Sequence, residues 1–569
     1  MKIVKKISLI IFILLINSVS AQKAKKIELL GADVLKGGGN LGKDVRRLIG
    51  NVRFKHSNAI MYCDSAHFNL KENLLHAFSN VHIEQKEDSL DLYGDYLNYN
   101  GNTKMAIVRN NVRLIHGDAV LTTDSLNYDR QQNVGYYFNG GTITDPENKL
   151  TSILGYYYTN EKNYIAIDSV LLVNKDYTMT SDTLKYNTLT DVTYFFGPTK
   201  IVSDSNLIYC ENGWYDTKND VSQFNKNAYL EKGANKILGD SLFYDRNAGL
   251  GKAFKNVEII DTSQNIVIKG NIAVYHEFNE NALVTDSAVL EQVNDNDTLF
   301  LHGDTLRVIT FTDTLQNTST DTVLLVQTDS LMKFYSQDSL LSFSVDTLII
   351  YTDSLDSAKT EKKAIFHLQK DSIFKYKTAY AYHKVRIFKS DMQAKCDSLT
   401  YLMKDSVLQM FTEPVVWSDE NQISADYIEF YLKNNEADYF FLKANAMIVS
   451  KDDSIRFNQI SGKEITGYFK DNEIYLLKVK GNAESVYYVR EEGETPETPG
   501  DLIGPNVAKG SIMHIYLEER KPVKIVYLKS PDGTLNPENY VSPKDLYLKN
   551  FSWQIEKRPL DKYDIFNWR

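Results

Sequence analysis

Apolar and polar residues alternate in short runs along most of the chain. The first clear set is Val52 to His56, Ala59 to Phe68 and Leu74 to Phe78, with Asn, Asp, Lys and Gly between the runs. Alternation with a period of two is the signature of a half-buried strand. It places Ile60, Tyr62, Asp64, Ala66 and Phe68 on one face, and Val120, Thr122, Asp124, Leu126 and Tyr128 on the matching face of a later run. Helical 3.6-residue periodicity is largely absent beyond the first twenty residues. The pattern predicts an all-β chain.

The runs recur at a fixed period. Gly50-Asn51-Val52 returns as Ser79-Asn80-Val81 and Asn110-Asn111-Val112, and equivalent turn-then-strand starts fall at Gly141, Ser169, Pro198, Asn227, Asn256 and Ser287. From Asn51 the steps are 29, 31, 30, 28, 29, 29, 29 and 31 residues, and the register resumes at Lys384, Pro414, Asn445 and Asn482. A second register has a small residue, an acid, then apolar and aromatic residues two and four positions on: Cys63-Asp64-Ser65-Ala66-His67-Phe68 is the first copy. Its acids are Asp64, Asp95, Asp124, Asp182, Asp240, Asp304, Asp397 and Asp426. A single such repeat cannot bury its apolar face, whereas stacked copies make one continuous interior. The predicted fold is an elongated stack of ~30-residue antiparallel β repeats.

The repeated acid has two readings: a structural acceptor where the strand bends beside a small residue, or a row of carboxylates facing a ligand. Repetition favours the first, because catalysis needs one constellation and not ten copies. The three cysteines, Cys63, Cys210 and Cys396, fall at or next to the small-residue position, where sister copies use Gly, Ser, Thr or Ala, and read as small side chains at a tight spot. The Ser/Thr/Asp-rich stretch 313–363 reads as degenerate repeats. The proline-punctuated acidic run within 490–511 reads as a linker, and 512–569 as a hairpin plus a non-repeat docking tail. The repeat region spans 22–489.

Residues 1–21 carry three lysines, an apolar run from Ile7 to Val19 and small residues before Gln22, the pattern of a cleaved secretory leader. The net charge of -10 is spread without a basic stripe, so nucleic acid is not an expected partner. Abundant Tyr (37) and Phe (26) favour strands. No metalloprotease, nucleophile-elbow, phosphate-loop or paired C-x-x-C motif occurs, so no catalytic residue, metal or cofactor is assigned. A two-carboxylate polysaccharide enzyme would leave no such motif and stays open as an alternative.

The pairing of G-N-V strand starts with A/S-D-x-L-x-Y strands resembles the OstA/LptA family of periplasmic lipopolysaccharide-transport proteins over Leu29 to Val489. With its Asn539-Tyr540-Val541-Ser542-Pro543 and Phe551-Ser552-Trp553 tail, the whole chain is similar to the long OstA-like proteins of Bacteroidetes-type bacteria. The resemblance implies a twisted, slit-open β-jellyroll in a Gram-negative periplasm, without enzymatic activity, whose apolar groove shields lipid A acyl chains. It implies lipopolysaccharide, an inner-membrane extraction complex and an outer-membrane translocon as partners, with end-to-end self-association and outer-membrane association. Groove-lining candidates are Phe68, Leu97, Tyr99, Leu126, Tyr128, Leu184, Tyr186, Tyr215, Leu242, Tyr244, Leu399, Tyr401, Ile428 and Phe430. A structural or adhesive β-solenoid with a packed interior is the competing expectation.

Overall fold

The computed structural model describes residues 26–37, 42–204, 206–263, 265–293, 297–319, 350–351, 363–364, 368–433, 436–471, 473–491, 500–518 and 521–568. The leader, most of 313–363 and the linker residues 492–499 lie outside the described residues. Among the described residues the elements are β-strands and short 3-10 turns, in two compact units, Met1–Ile260 and Asp261–Arg569.

In the first unit long strands follow one another in antiparallel hairpins: Val45–His56, Ala59–Asn69, Leu74–Gln85, Leu90–Asn100, Met105–His116 and Ala119–Asp129. Each pairing is continuous except at one step, as between Ile49 and Val52 or Phe78 and Val81. There every second strand carries two residues in the left-handed region: Gly50–Asn51, Ser79–Asn80 and Asn110–Asn111. Asn and Gly tolerate that conformation best, which is why the first sequence register reads as it does. The extra residues make a bulge, and bulges aligned from strand to strand fold the sheet along a line, so that its two halves face each other.

The second register explains itself at the same line. The Asn80 amide donates to Asp64 (2.7 Å), Asn111 to Asp95 (2.6 Å), Asn227 to Glu211 (2.6 Å) and Asn256 to Asp240 (3.1 Å), each across 16 residues. Asp64 and its equivalents sit on the outside of the bend. This corrects the expectation that the acid shares a face with the apolar positions. Ala59, Met61 and Cys63 point inward, Asp64 and Ser65 both face outward, and Ala66 and Phe68 point inward again. The bend inserts a two-residue outward step, so the phase of alternation flips across it, and Ile60 and Tyr62 belong to the outer face.

The second unit uses the same device, with left-handed pairs at His383–Lys384, Thr412–Glu413, Ala444–Asn445, Gly481–Asn482 and Lys529–Ser530. Asn445 donates to both oxygens of Asp426 (3.1 Å each). Two boundaries differ from the sequence expectation. Leu502–Glu518 is a strand paired along Glu473–Arg490, so 502–511 belongs to the sheet; burial there does not alternate, and the nearby prolines obscured the strand. The tail beyond Leu535 is not a free docking element. It runs back over the outer face of the second unit.

That outer face is built for the tail. Gln393, Trp417, Gln422, Val449, Gln459 and Val486 form a cross-strand row and are all buried. The corresponding outer row of the first unit, Ile60, Glu84, Asp91, Ile115 and Val120, is only half-buried. Two glutamines read the tail's backbone as a β-strand would. Gln422 donates to the Ser552 carbonyl (2.7 Å) and accepts from the Gln554 N–H (2.8 Å). Gln459 does the same with the Leu546 carbonyl (2.9 Å) and the Leu548 N–H (2.9 Å). Further along, buried Arg386 donates to the Lys557 carbonyl (3.0 Å) and faces Asp564 at 3.7 Å. A buried guanidinium is costly unless so compensated, so the tail and this face stabilise each other.

Two outcomes follow. Asn80→Val should destabilise the first unit by about 1–3 kcal/mol in urea titrations, since a β-branched residue resists the left-handed region and the bond to Asp64 is lost; Asn80→Gly, which keeps the backbone, should cost less. Deleting 536–569 should lower the melting temperature of the second unit and shift the emission of Trp417 to the red, whereas a detachable tail would change neither.

Candidate functional site

The space between the two halves of the folded sheet is the candidate site. It differs along the first unit. Between Ile27 and Tyr164 it is a filled core. The inner row of one half, Phe54, Met61, Ile83, Leu92, Leu114 and Leu121, is buried throughout. It packs against Phe68, Leu75, Tyr99 and Tyr128 of the other half, with Phe54 and Phe68 edge to face at 5.3 Å and Tyr157 stacked on Tyr164 at 4.0 Å. Polar groups close the mouth over this core. His56 Nδ1 lies 2.5 Å from the Tyr99 hydroxyl, and Arg130, from a hairpin tip of one half, donates to Tyr99 (2.9 Å) and to Asn58 Oδ1 (2.8 Å) at a tip of the other. His116 bonds the Tyr157 hydroxyl in the same way. Burial pushes the Tyr99 hydroxyl up, against the opposing pull of Arg130, and pushes Tyr157 up to about 12.

Beyond Leu121 the row is mixed, with Leu150 and Met179 buried and Ile143 and Leu172 half-buried, and from Ile201 to Ile237 the same positions are half-exposed throughout. The inner row continues as Ile201, Ile208, Leu230 and Ile237, all only partly buried. The facing half presents Tyr186, Thr193, Tyr215, Ser222 and Tyr244, in which tyrosines alternate with small hydroxyl residues. Next to the bend the walls meet at small side chains: Thr199, Cys210, Gly213, Ala228 and Gly239 are buried. A Cβ on Gly213 would lie 2.5 Å from the Phe195 ring and 2.4 Å from the Gln223 carbonyl oxygen, so only glycine lets the chain approach this closely. The result is a slit, tight at the bend, aliphatic on one wall and lined by tyrosines and small hydroxyl residues on the other. Tyr215 donates to Asp220 (2.7 Å) and Tyr186 to Asp191 (3.3 Å) at the rim; burial first, then these carboxylates, raise both hydroxyls, Tyr186 to about 12.

Of the residues singled out from the sequence, Phe68, Leu97, Tyr99, Leu126 and Tyr128 lie in the filled core. Leu184 and Leu242 lie buried beside the bend, and Tyr186, Tyr215 and Tyr244 line the slit. In the second unit Leu399 and Ile428 are buried and Tyr401 and Phe430 half-buried, with Phe430 packed on Phe440 at 5.9 Å. The opposite wall of the slit, Ile201 to Ile237, was missed, as was Arg130. A signal was present: His56, Gln85 and His116 occupy one repeat position, five residues after Asn51, Asn80 and Asn111, and later copies lack a histidine there. The repeated acids serve the bend and not the slit: Asp304 pairs with Lys384 (3.3 Å) and Asp397 with His383 (3.3 Å). Asp182 packs under Gly197, and Asp124 is exposed. Among the described residues no group of His, Cys, Asp and Glu has a metal-binding arrangement.

Residues 24–182 and 178–240 match a family described as OstA-like protein. A crystal structure of LptH, the LptA homologous periplasmic component of the conserved lipopolysaccharide transport device from Pseudomonas aeruginosa, aligns over 19% of this chain and 82% of that chain, at 15% identity and a TM-score of 0.18. No curated protein matches. Among the described residues no helix is long and apolar enough to cross a membrane.

The cysteines sit unpaired and buried at the inner edge of the bend, and burial pushes each thiol up to about 12. A raised thiol pKa favours the protonated folded state, so this contribution is complete below about pH 9 and is lost as pH rises from there toward 12. At pH 8 the folded protein should not react with a thiol reagent that labels all three cysteines in urea. Fast labelling of the native state would contradict the assignment.

Proposed function

Starting from the chain as an OstA/LptA-like protein, we propose that it carries lipopolysaccharide in the periplasm, holding lipid A acyl chains in the slit lined by Ile201, Ile208, Leu230 and Ile237. The observation that carries this reading is the half-exposed inner row Ile201, Ile208, Leu230 and Ile237, set against the half that carries Tyr186, Tyr215 and Tyr244. Each methylene withdrawn from water contributes about 0.8 kcal/mol, so several acyl chains seated there would resist escape into water. The walls offer repeated, nearly equivalent burial from strand to strand. A lipid can therefore shift along them over small barriers, driven by an energy source elsewhere, and the protein has no need of catalytic chemistry.

The chemistry of the walls favours acyl chains over a peptide. Every strand flanking the slit is already paired on both sides, so a bound peptide would find no backbone partners and would bury its own N–H and C=O groups unpaired. Hydrocarbon carries no such groups. The partners on this reading are an inner-membrane extraction complex, which loads the slit, and an outer-membrane translocon, which receives the lipid, with end-to-end association lengthening the path. A packed structural solenoid would have no reason to leave four aliphatic side chains half-exposed at positions that the same unit fills elsewhere.

Protein released from the cell envelope without detergent should carry lipid A, detected by mass spectrometry. Ile208→Asp and Leu230→Asp place a carboxylate in the apolar wall, and each should lower lipid loading about tenfold or more with an unchanged circular dichroism spectrum. Lipid-free protein that also ignores added lipopolysaccharide would overturn the proposal.

A further inference from the structure

Resting on that reading, we propose that residues 27–164 are a sealed cap, latched across the mouth by Arg130 and the His56–Tyr99 and His116–Tyr157 pairs, so that acyl chains enter this unit sideways from Tyr186 onward. A groove shared by all repeats would show the same exposure at equivalent positions. Here one inner row is buried at Met61, Ile83, Leu92, Leu114 and Leu121, passes through a mixed stretch with Leu150 and Met179 buried and Ile143 and Leu172 half-exposed, and is half-exposed at Ile201, Ile208, Leu230 and Ile237. The backbone of the two stretches is built alike, with the same bends and hairpins, so the difference lies in side chains.

Three features close the cap. The facing wall supplies bulky rings directly opposite the aliphatic row, as Phe68 does for Phe54. The polar residue at the outer end of that row reaches across to a tyrosine of the other wall, as His56 does to Tyr99. Arg130 then ties the hairpin tips of both halves, bonding Tyr99, the His56 carbonyl (3.4 Å) and Asn58. At the far edge Ile27 is buried, and its N–H donates to Asn73 Oδ1 (2.9 Å). An acyl chain could occupy this interior only by displacing the core and parting these bonds. Beyond Tyr164 the arrangement changes: Tyr186 and Tyr215 turn their hydroxyls to Asp191 and Asp220 of their own half and do not bridge the mouth. That rotation leaves the side of the slit open to a lipid.

Photo-leucine, nearly isosteric with leucine, tests this without disturbing the core. The full-length protein would be labelled throughout, loaded with purified hexa-acylated lipopolysaccharide and irradiated, and the adducts mapped by mass spectrometry. Adducts are expected at Leu230, with none at Leu92, Leu97, Leu114 or Leu126. Comparable adducts in both stretches would overturn the cap and leave the transport reading standing. Absence of adducts in both would overturn the transport reading itself. Adducts confined to the cap leucines would overturn both.

Discussion

The fold depends on bends built from residues at positive φ, many of them held by a bond between a left-handed asparagine at one strand's bulge and a carboxylate on the stretch before it. A long antiparallel sheet left to itself twists but does not fold over. Two residues at positive φ, repeated on alternate strands, force the bend, and the Asn80–Asp64 and Asn111–Asp95 bonds hold successive bends in line. Because the carboxylate accepts from a side-chain amide on the outside of the bend, it needs no place in the apolar interior. The interior is thereby freed to be lined by aliphatic and aromatic residues, with small hydroxyl residues such as Thr193 and Ser222 among them.

Once the bend is set, what the interior becomes depends on what spans its mouth. Tyrosines alternate with small residues in both stretches, with Ala106 and Gly135 between Tyr99, Tyr128 and Tyr157 in one and Thr193 and Ser222 between Tyr186, Tyr215 and Tyr244 in the other. Where the rim carries His56, His116 and Arg130, which reach across to tyrosines of the facing wall, the space is core and contributes stability. The second unit adds a different solution on its outer face, where Gln422 and Gln459 hold the returning tail as if it were another strand. One backbone plan thus supports a plug, a slit and a strap.

Much of this was legible in the sequence. The period, the all-β character and the position of each bend follow from Asn51, Asn80, Asn111 and their successors, because few residue types accept positive φ. The phase flip at Asp64–Ser65 was not legible, since strict alternation assumes an unbroken strand. Nor was the split between filled and open interior: Tyr128 and Tyr215 occupy equivalent positions in the repeat, and only the residues facing them decide that one is core and the other wall. The tail's course was hidden because its partners, Gln393, Gln422 and Gln459, are polar residues that a pattern reading assigns to solvent.

The central claim is that one stretch of this interior is a lipid site and another is core, and nitroxide mobility reports on it directly. Spin labels would be attached at Ile208→Cys and Ile237→Cys in the slit and, as an outer-face control, at Tyr62→Cys, the native thiols being buried. Added lipopolysaccharide should sharply slow the labels at 208 and 237 and leave that at 62 unchanged. Equal mobility at all three sites with and without lipopolysaccharide would contradict the account.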